Sequence, residues 1–155
     1  MESSVVSFFS DGAIEDISAH TSKSVSIFNV ATGDVAFSIP IQDFEFEKSL
    51  MKEHFNEKYM ETEKFPKSTF QGKLTGFQTT GAGEQQARAT GKLTIHGVTK
   101  EVDLPGTIEF VSGKIVMKSK FVVKLVDYKI AIPQLLWQNI AEEIEVKIDF
   151  TYKAQ

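Results

Sequence analysis

Apolar and polar residues alternate along most of this chain with a period of two. Ile144, Val146, Ile148, Phe150 and Tyr152 fall on one face, and Glu143, Glu145, Lys147, Asp149 and Thr151 on the other. Such alternation predicts a half-buried β-strand, because a helix would mix the two sets. Val35, Phe37, Ile39 and Ile41 alternate in the same way with Ala36, Ser38, Pro40 and Gln42, and the apolar phase then flips to Phe44 and Phe46. A one-residue slip predicts a β-bulge near Gln42-Asp43. Pro40, with no N–H to donate, marks an edge or an irregularity there.

Further strands are expected at about 68–78, 85–96, 98–110 and 114–127, punctuated by turns such as Gly81-Ala82-Gly83 and Ser112-Gly113. Shorter ones are expected at about 5–10, 14–20 and 25–30. Between about 48 and 60 the period changes: Leu50, Met51, His54, Phe55 and Tyr59 recur at helical spacing, with Ser49 as the expected N-cap. A second short helix is expected over about 133–140, opened by Pro133. No linker, repeat or low-complexity tract interrupts the chain, so all of 1–155 reads as one domain. Eight or nine strands near ten residues long would expose edges as a flat sheet, so they should curl into an antiparallel sandwich or barrel. An eight-stranded barrel is either filled by its own side chains or holds one slender ligand.

Composition narrows the function. Seventeen basic against twenty-one acidic residues leave a net charge of −4, which disfavours a nucleic-acid partner needing a positive stripe. With no cysteine, disulfides, thiolate metal sites and thiol nucleophiles are excluded together. No apolar run reaches the roughly 18 residues of a spanning helix. Met1-Glu2-Ser3-Ser4 has neither a basic nor an apolar segment, so no leader is expected in the sequence as it stands; a chain whose leader had been removed would read the same. Thirteen phenylalanines are the conspicuous excess, about twice the average usage.

Candidate chemistry is sparse. His20, His54 and His96 lie on separate elements without metal-ligand spacing, so no metal site is expected. His96 reads as a polar turn residue and His54 as a hydrogen-bonded packing residue. Glu53, Glu57 and Glu61 alternate with Lys52, Lys58 and Lys64 as a solvated, salt-bridged face. Asp127 is expected to end a strand and hold the next turn. Tyr128 could alternatively present its hydroxyl to a ligand head group, and Trp137 reads as a cap on the barrel end. No G-x-S-x-G or paired-carboxylate arrangement supports catalysis.

Four blocks occur in order: Leu50 to Glu61 ending near a tyrosine; Phe65-Pro66 leading into Ser68-Thr69-Phe70-Gln71-Gly72; Gly91-Lys92-Leu93-Thr94-Ile95-His96-Gly97-Val98-Thr99; and Asp127-Tyr128-Lys129-Ile130-Ala131-Ile132-Pro133. Together they resemble the YceI-like family of bacterial lipid-binding proteins. The resemblance implies an all-β fold, an elongated, lipocalin-like, eight-stranded antiparallel barrel with one or two short helices in its loops. It implies a long-chain isoprenoid, isoprenoid quinone or fatty-acid-like lipid as partner and a periplasmic or secreted location, with the cytoplasm left open. It implies neither a cofactor nor a catalytic set, and leaves room for a homodimer. The inward faces give the expected lumen lining: Phe37, Ile39, Phe70, Leu93, Ile108, Phe121, Val123, Ile148 and Phe150. Leu50, Phe55 and Tyr59 of the helix would close one mouth, with Tyr128 beside it. The alternatives are an enzyme acting on such a lipid through Tyr128 or His54, and a solid barrel serving as an interaction module.

Overall fold

The computed structural model describes residues 3–11, 17–130 and 142–153. Its strands are β1 (Ser3–Ser10), β2 (Ile17–Thr21), β3 (Val25–Phe28), β4 (Asp34–Pro40), β5 (Glu45–Phe46), β6 (Lys67–Thr75), β7 (Gln85–Ile95), β8 (Val98–Val111), β9 (Lys114–Lys124) and β10 (Glu143–Lys153). One helix, α1 (Ser49–His54), continues into a π turn over Phe55–Tyr59. The expected helix over 133–140 and the cap at Trp137 lie outside the described residues, as does the start of the strand expected from residue 14.

All ladders are antiparallel, in the order β3-β4-β6-β7-β8-β9-β10-β1-β2-β5. The ten pieces form an eight-stranded barrel because two long strands are each broken in the middle. β2 and β3 are successive parts of one, and β4 and β5 of the other. β3 pairs with β4 (Val25↔Ser38) and β2 with β5 (His20↔Glu45), while β4 also pairs with β6 and β2 with β1. The wall therefore meets itself across the first two long strands. Where β1 falls short, Ser4 Oγ donates to the Ser24 carbonyl at 2.9 Å, and the Ser26 and Tyr152 hydroxyls lie 2.5 Å apart, joining β3 to β10.

The expected bulge near Gln42-Asp43 is instead a 3-10 turn over Ile41–Asp43. With three residues per turn it brings Ile41 and Phe44 back to the same side, which explains the phase flip without a bulge. Pro40 ends β4 immediately before it. Ser49 is not the N-cap; Lys48 holds that position, without a side-chain cap bond. The strand expected to reach 127 stops at Lys124, so exposed Asp127 lies within a 3-10 turn over Leu125–Tyr128 and does not end a strand.

His96-Gly97 and Ser112-Gly113 turn their hairpins with positive φ at both positions (54° and 73°, 49° and 78°), the twist-matched geometry of two-residue loops. Gly72 and Gly91 face each other across β6 and β7. A Cβ on Gly91 would come within 2.5 Å of the Gly72 Cα, so the two backbones close up where no side chain fits. Along β8 and β9 the ladder covers only 106–111 with 114–119. It ends beside Pro105, which has no amide hydrogen, and there Ser119 Oγ donates to the Pro105 carbonyl at 2.7 Å.

Candidate lipid cavity

Inward residues of the strands and the π turn meet in one hydrophobic core. Its rings form two groups. Near the helix, Phe8 stacks on Phe55 with centroids 5.2 Å apart and meets Phe44 edge-on at 5.1 Å. Deeper in the barrel, Phe37 stacks on Phe70 at 5.2 Å and meets the edge of Phe150 at 5.7 Å. Such pairs add about 0.5–1.5 kcal/mol each beyond their area burial. The rings therefore pack against one another inside the barrel.

Two voids remain. One, of about 110 Å³, lies under the π turn and is lined, among the described residues, by side chains of β1, β4, β6, β7, β9 and β10 and of the turns between them. Of the expected lumen residues, Phe37, Ile39, Phe55, Tyr59, Leu93, Phe121, Val123 and Ile148 line it. The other, of about 60 Å³, lies deeper and takes in Phe70 and Phe150; Phe37 and Ile148 line both. Ile108 and Tyr128 are buried but line neither void. A larger concavity of about 590 Å³ is an open groove on the outer wall, edged by Val5, Lys118, Lys120, Lys147 and Asp149. It is solvated and mixed in charge, so the interior is the apolar site.

Among the described residues that line the 110 Å³ void, only Tyr59 and Ser68 carry a polar side chain, and the surface facing the void is carbon almost throughout. Tyr59 is 3% exposed, and its hydroxyl has no hydrogen-bond partner among the described residues. Burial pushes its phenol pKa up. Phe55 and Tyr59, four residues apart in the π turn, lie on one side of it and are both buried. The helix itself buries none of its residues, and Leu50, expected to help close the mouth, is 62% exposed.

A polar clasp ties three turns together. His96 Nε2 lies 2.6 Å from a Glu61 carboxylate oxygen, and its Nδ1 lies 3.1 Å from the Tyr128 carbonyl oxygen. The clasp joins the β7–β8 turn to the chain after the π turn and to the turn after β9. His96 thus does more than occupy a turn, and Glu61 leaves the solvated row of carboxylates. The Glu61 carboxyl is held below its ordinary pKa, chiefly by this hydrogen bond. Tyr128 is pushed up by burial and then by the Asp127 charge. Among the described residues no three His, Asp or Glu side chains gather as metal ligands, and no helix is long and apolar enough to cross a membrane.

Val6, Phe8, Phe44, Met60, Ile130 and Ile144 also line the cavity without having been anticipated there. Ile144 was legible from its strand's alternation. Val6 and Phe8 were obscured because Val5 and Phe9, which point outward, are equally apolar. Met60 and Ile130 sit on irregular backbone, where no period announces the inward side.

The antiparallel barrel with an internal apolar cavity defines a lipocalin-like fold. The YceI-like domain profile matches residues 2–152, and the chain belongs to that family. Its fold is similar to that of BcnA from Burkholderia cenocepacia (TM-score 0.81, 18% identity, 97% of this chain and 96% of the other). It is also similar to a polyisoprenoid binding domain from Saccharophagus degradans implicated in plant cell wall breakdown (0.84, 14%, 98% and 94%). A YceI protein from Campylobacter jejuni matches over 86% of this chain and 81% of its own (0.65, 21%). No curated protein sequence matches.

Proposed function

We propose that this protein sequesters or transports a long-chain apolar lipid, a polyisoprenoid, isoprenoid quinone or similar amphiphile, inside its barrel without chemistry on it. The observation that carries this reading is the interior void whose lining, among the described residues, is apolar but for Tyr59 and Ser68. Family membership and the polyisoprenoid binding domain with the same fold support it. Each buried methylene gains about 0.8 kcal/mol of transfer energy, so a few isoprene units give useful affinity with no charged contact, even after the ordering cost of binding. A periplasmic or secreted location belongs to the same proposal. A homodimer is compatible with it, and light scattering distinguishes that from a monomer.

The resting voids hold only a small part of such a chain: an engineered cavity of roughly 150 Å³ accepts one benzene. Binding therefore requires rings to swing aside. Phe37 and Ile148, which line both voids, stand where the two would join. The packing of rings inside the barrel is also the specific observation favouring a second reading, a solid barrel acting as an interaction module. An enzyme has less support, because neither Tyr128 nor His54 lines the cavity. Organic extraction of the purified protein with mass spectrometry, followed by uptake of isoprenoids by the delipidated protein, tests the proposal. Co-purifying lipid or saturable uptake is expected; neither being seen leaves the solid barrel.

A further inference from the structure

We infer that His96 is a proton-operated latch beside the lipid cavity. Its imidazolium holds three turns together, and loss of one ring proton frees the turn carrying Tyr128 and speeds lipid exchange. The inference rests on the lipid reading above and adds what regulates that site.

The His96 ring faces two hydrogen-bond acceptors at once. Nδ1 lies 3.1 Å from the Tyr128 carbonyl oxygen, and Nε2 lies 2.6 Å from a Glu61 carboxylate oxygen. A carbonyl only accepts, and so does an ionised carboxylate. Glu61 is held below its ordinary 4.5, so near neutral pH it has no proton to give. Both bonds therefore need both ring N–H groups, and only the imidazolium has two. A neutral ring keeps one donor. Held on the carboxylate, that donor leaves the bare Nδ1 lone pair against the Tyr128 carbonyl, and attraction there becomes repulsion. The clasp is thus complete at low pH, down to the titration of Glu61, and is lost as pH rises through that of the ring.

On the elements packed against the ring, Lys64 Nζ lies 3.5 Å from the second Glu61 oxygen, and Phe65 meets the imidazole edge-on at 4.7 Å. Glu63, Lys100, Asp127 and Lys129 on the same elements are exposed. The clasp touches the cavity wall at three places along the chain. Ile95 precedes His96, Met60 precedes Glu61, and Ile130 follows two residues after Tyr128; all three line the 110 Å³ void. Glu61 and Lys129 also hold positive φ, at 48° and 54°, a conformation that such residues keep only when their surroundings impose it. Freeing Tyr128 lifts that constraint next to Ile130.

Release of a short-tailed isoprenoid quinone from loaded protein to phosphatidylcholine vesicles, timed between about pH 5 and pH 9, tests this. Wild type should release about 3- to 10-fold faster at the alkaline end. Glu61→Gln should stay slow throughout, because its amide N–H can donate to a bare Nε2 while Nδ1–H keeps the Tyr128 carbonyl. His96→Asn should be fast throughout, with circular dichroism confirming the fold of each variant. A wild-type rate that is flat with pH, or a pH response that survives in Glu61→Gln, overturns the latch. Nitrogen-15 NMR of the lipid-free protein reads the ring without lipid: the imidazole signals missing from His96→Asn should report two N–H groups at the acid end and one at the alkaline end. A ring with a single N–H at both ends overturns the latch as well. Protein that takes up no quinone sinks the lipid reading, while the ring signals still decide the clasp.

Discussion

Phe37→Ala is the substitution that best separates a lipid bore from a solid core. Phe37 is 9% exposed, stacks on Phe70, meets Phe150 edge-on and borders both internal voids. Removing its ring forfeits about 2 kcal/mol of transfer energy. A ring-sized hole of roughly 100 Å³ adds about 2.4 kcal/mol at about 24 cal/mol per Å³, with partial collapse returning some of it. The expected loss for the lipid-free protein is therefore about 4 kcal/mol, read from urea unfolding at constant m-value. The same hole joins the two voids, so a lipid chain should enter without moving a ring. Ligand at a hundred times its Kd stabilises by about 2.7 kcal/mol, and the variant should gain more from a given lipid concentration than wild type does. A loss below about 1 kcal/mol would show that Phe37 is not packed as described. A full loss with no larger lipid-induced shift than wild type would refute the joining of the voids into one binding channel.

Ser26→Ala should cost about 1–3 kcal/mol, because it leaves the buried Tyr152 hydroxyl without its 2.5 Å partner; chemical denaturation reads this directly. Burial pushes Tyr152 up to about 12 from an ordinary 10.0, so its contribution is complete below pH 10 and is lost as pH rises towards the folded value. An alkaline stability profile checks the sign. Glu61 is held below its ordinary 4.5, so its contribution is present above that pH and lost as pH falls through the folded value. Glu61→Gln should flatten this acid limb, visible in denaturation midpoints compared between about pH 7 and pH 3. Gly72→Ala should cost about 3 kcal/mol or more, since its Cβ would press on the Thr90 carbonyl oxygen and lie 2.8 Å from the Gly91 Cα; loss of soluble folded protein is the expected readout.

The strands were legible wherever one face is wet and the other dry. β10 shows its whole register in its composition, and its residues from Ile144 to Tyr152 point as the alternation requires. The breaks in the two long strands were harder to place, because a 3-10 turn and a bulge both shift an apolar phase. At Ile41–Asp43 the sequence carries the shift but not its cause. The helix misled for a different reason: Leu50 and Tyr59 were grouped in one apolar stripe, yet nine residues at about 100° each place them on opposite sides of a helix, and Leu50 is in solvent while Tyr59 is buried. The clasp around His96 was illegible, since its three members are separated by 35 and 32 positions and meet only once the barrel closes. The phenylalanine excess announced an aromatic interior, but the size of the gaps between the rings depends on tenths of an ångström that no pattern of residues records.

The shortened ladder between β8 and β9 has a mechanical consequence. Leu93 and Ile95 of β7 and Phe121 and Val123 of β9 flank the unpaired half of β8 and line the cavity. Parting the wall at that seam severs no inter-strand ladder, so compliance is concentrated next to the chamber while the remaining staves stay bound. Amides of β8 that face the seam should accordingly trade their protons for deuterons ahead of those facing β7, and lipid should slow them.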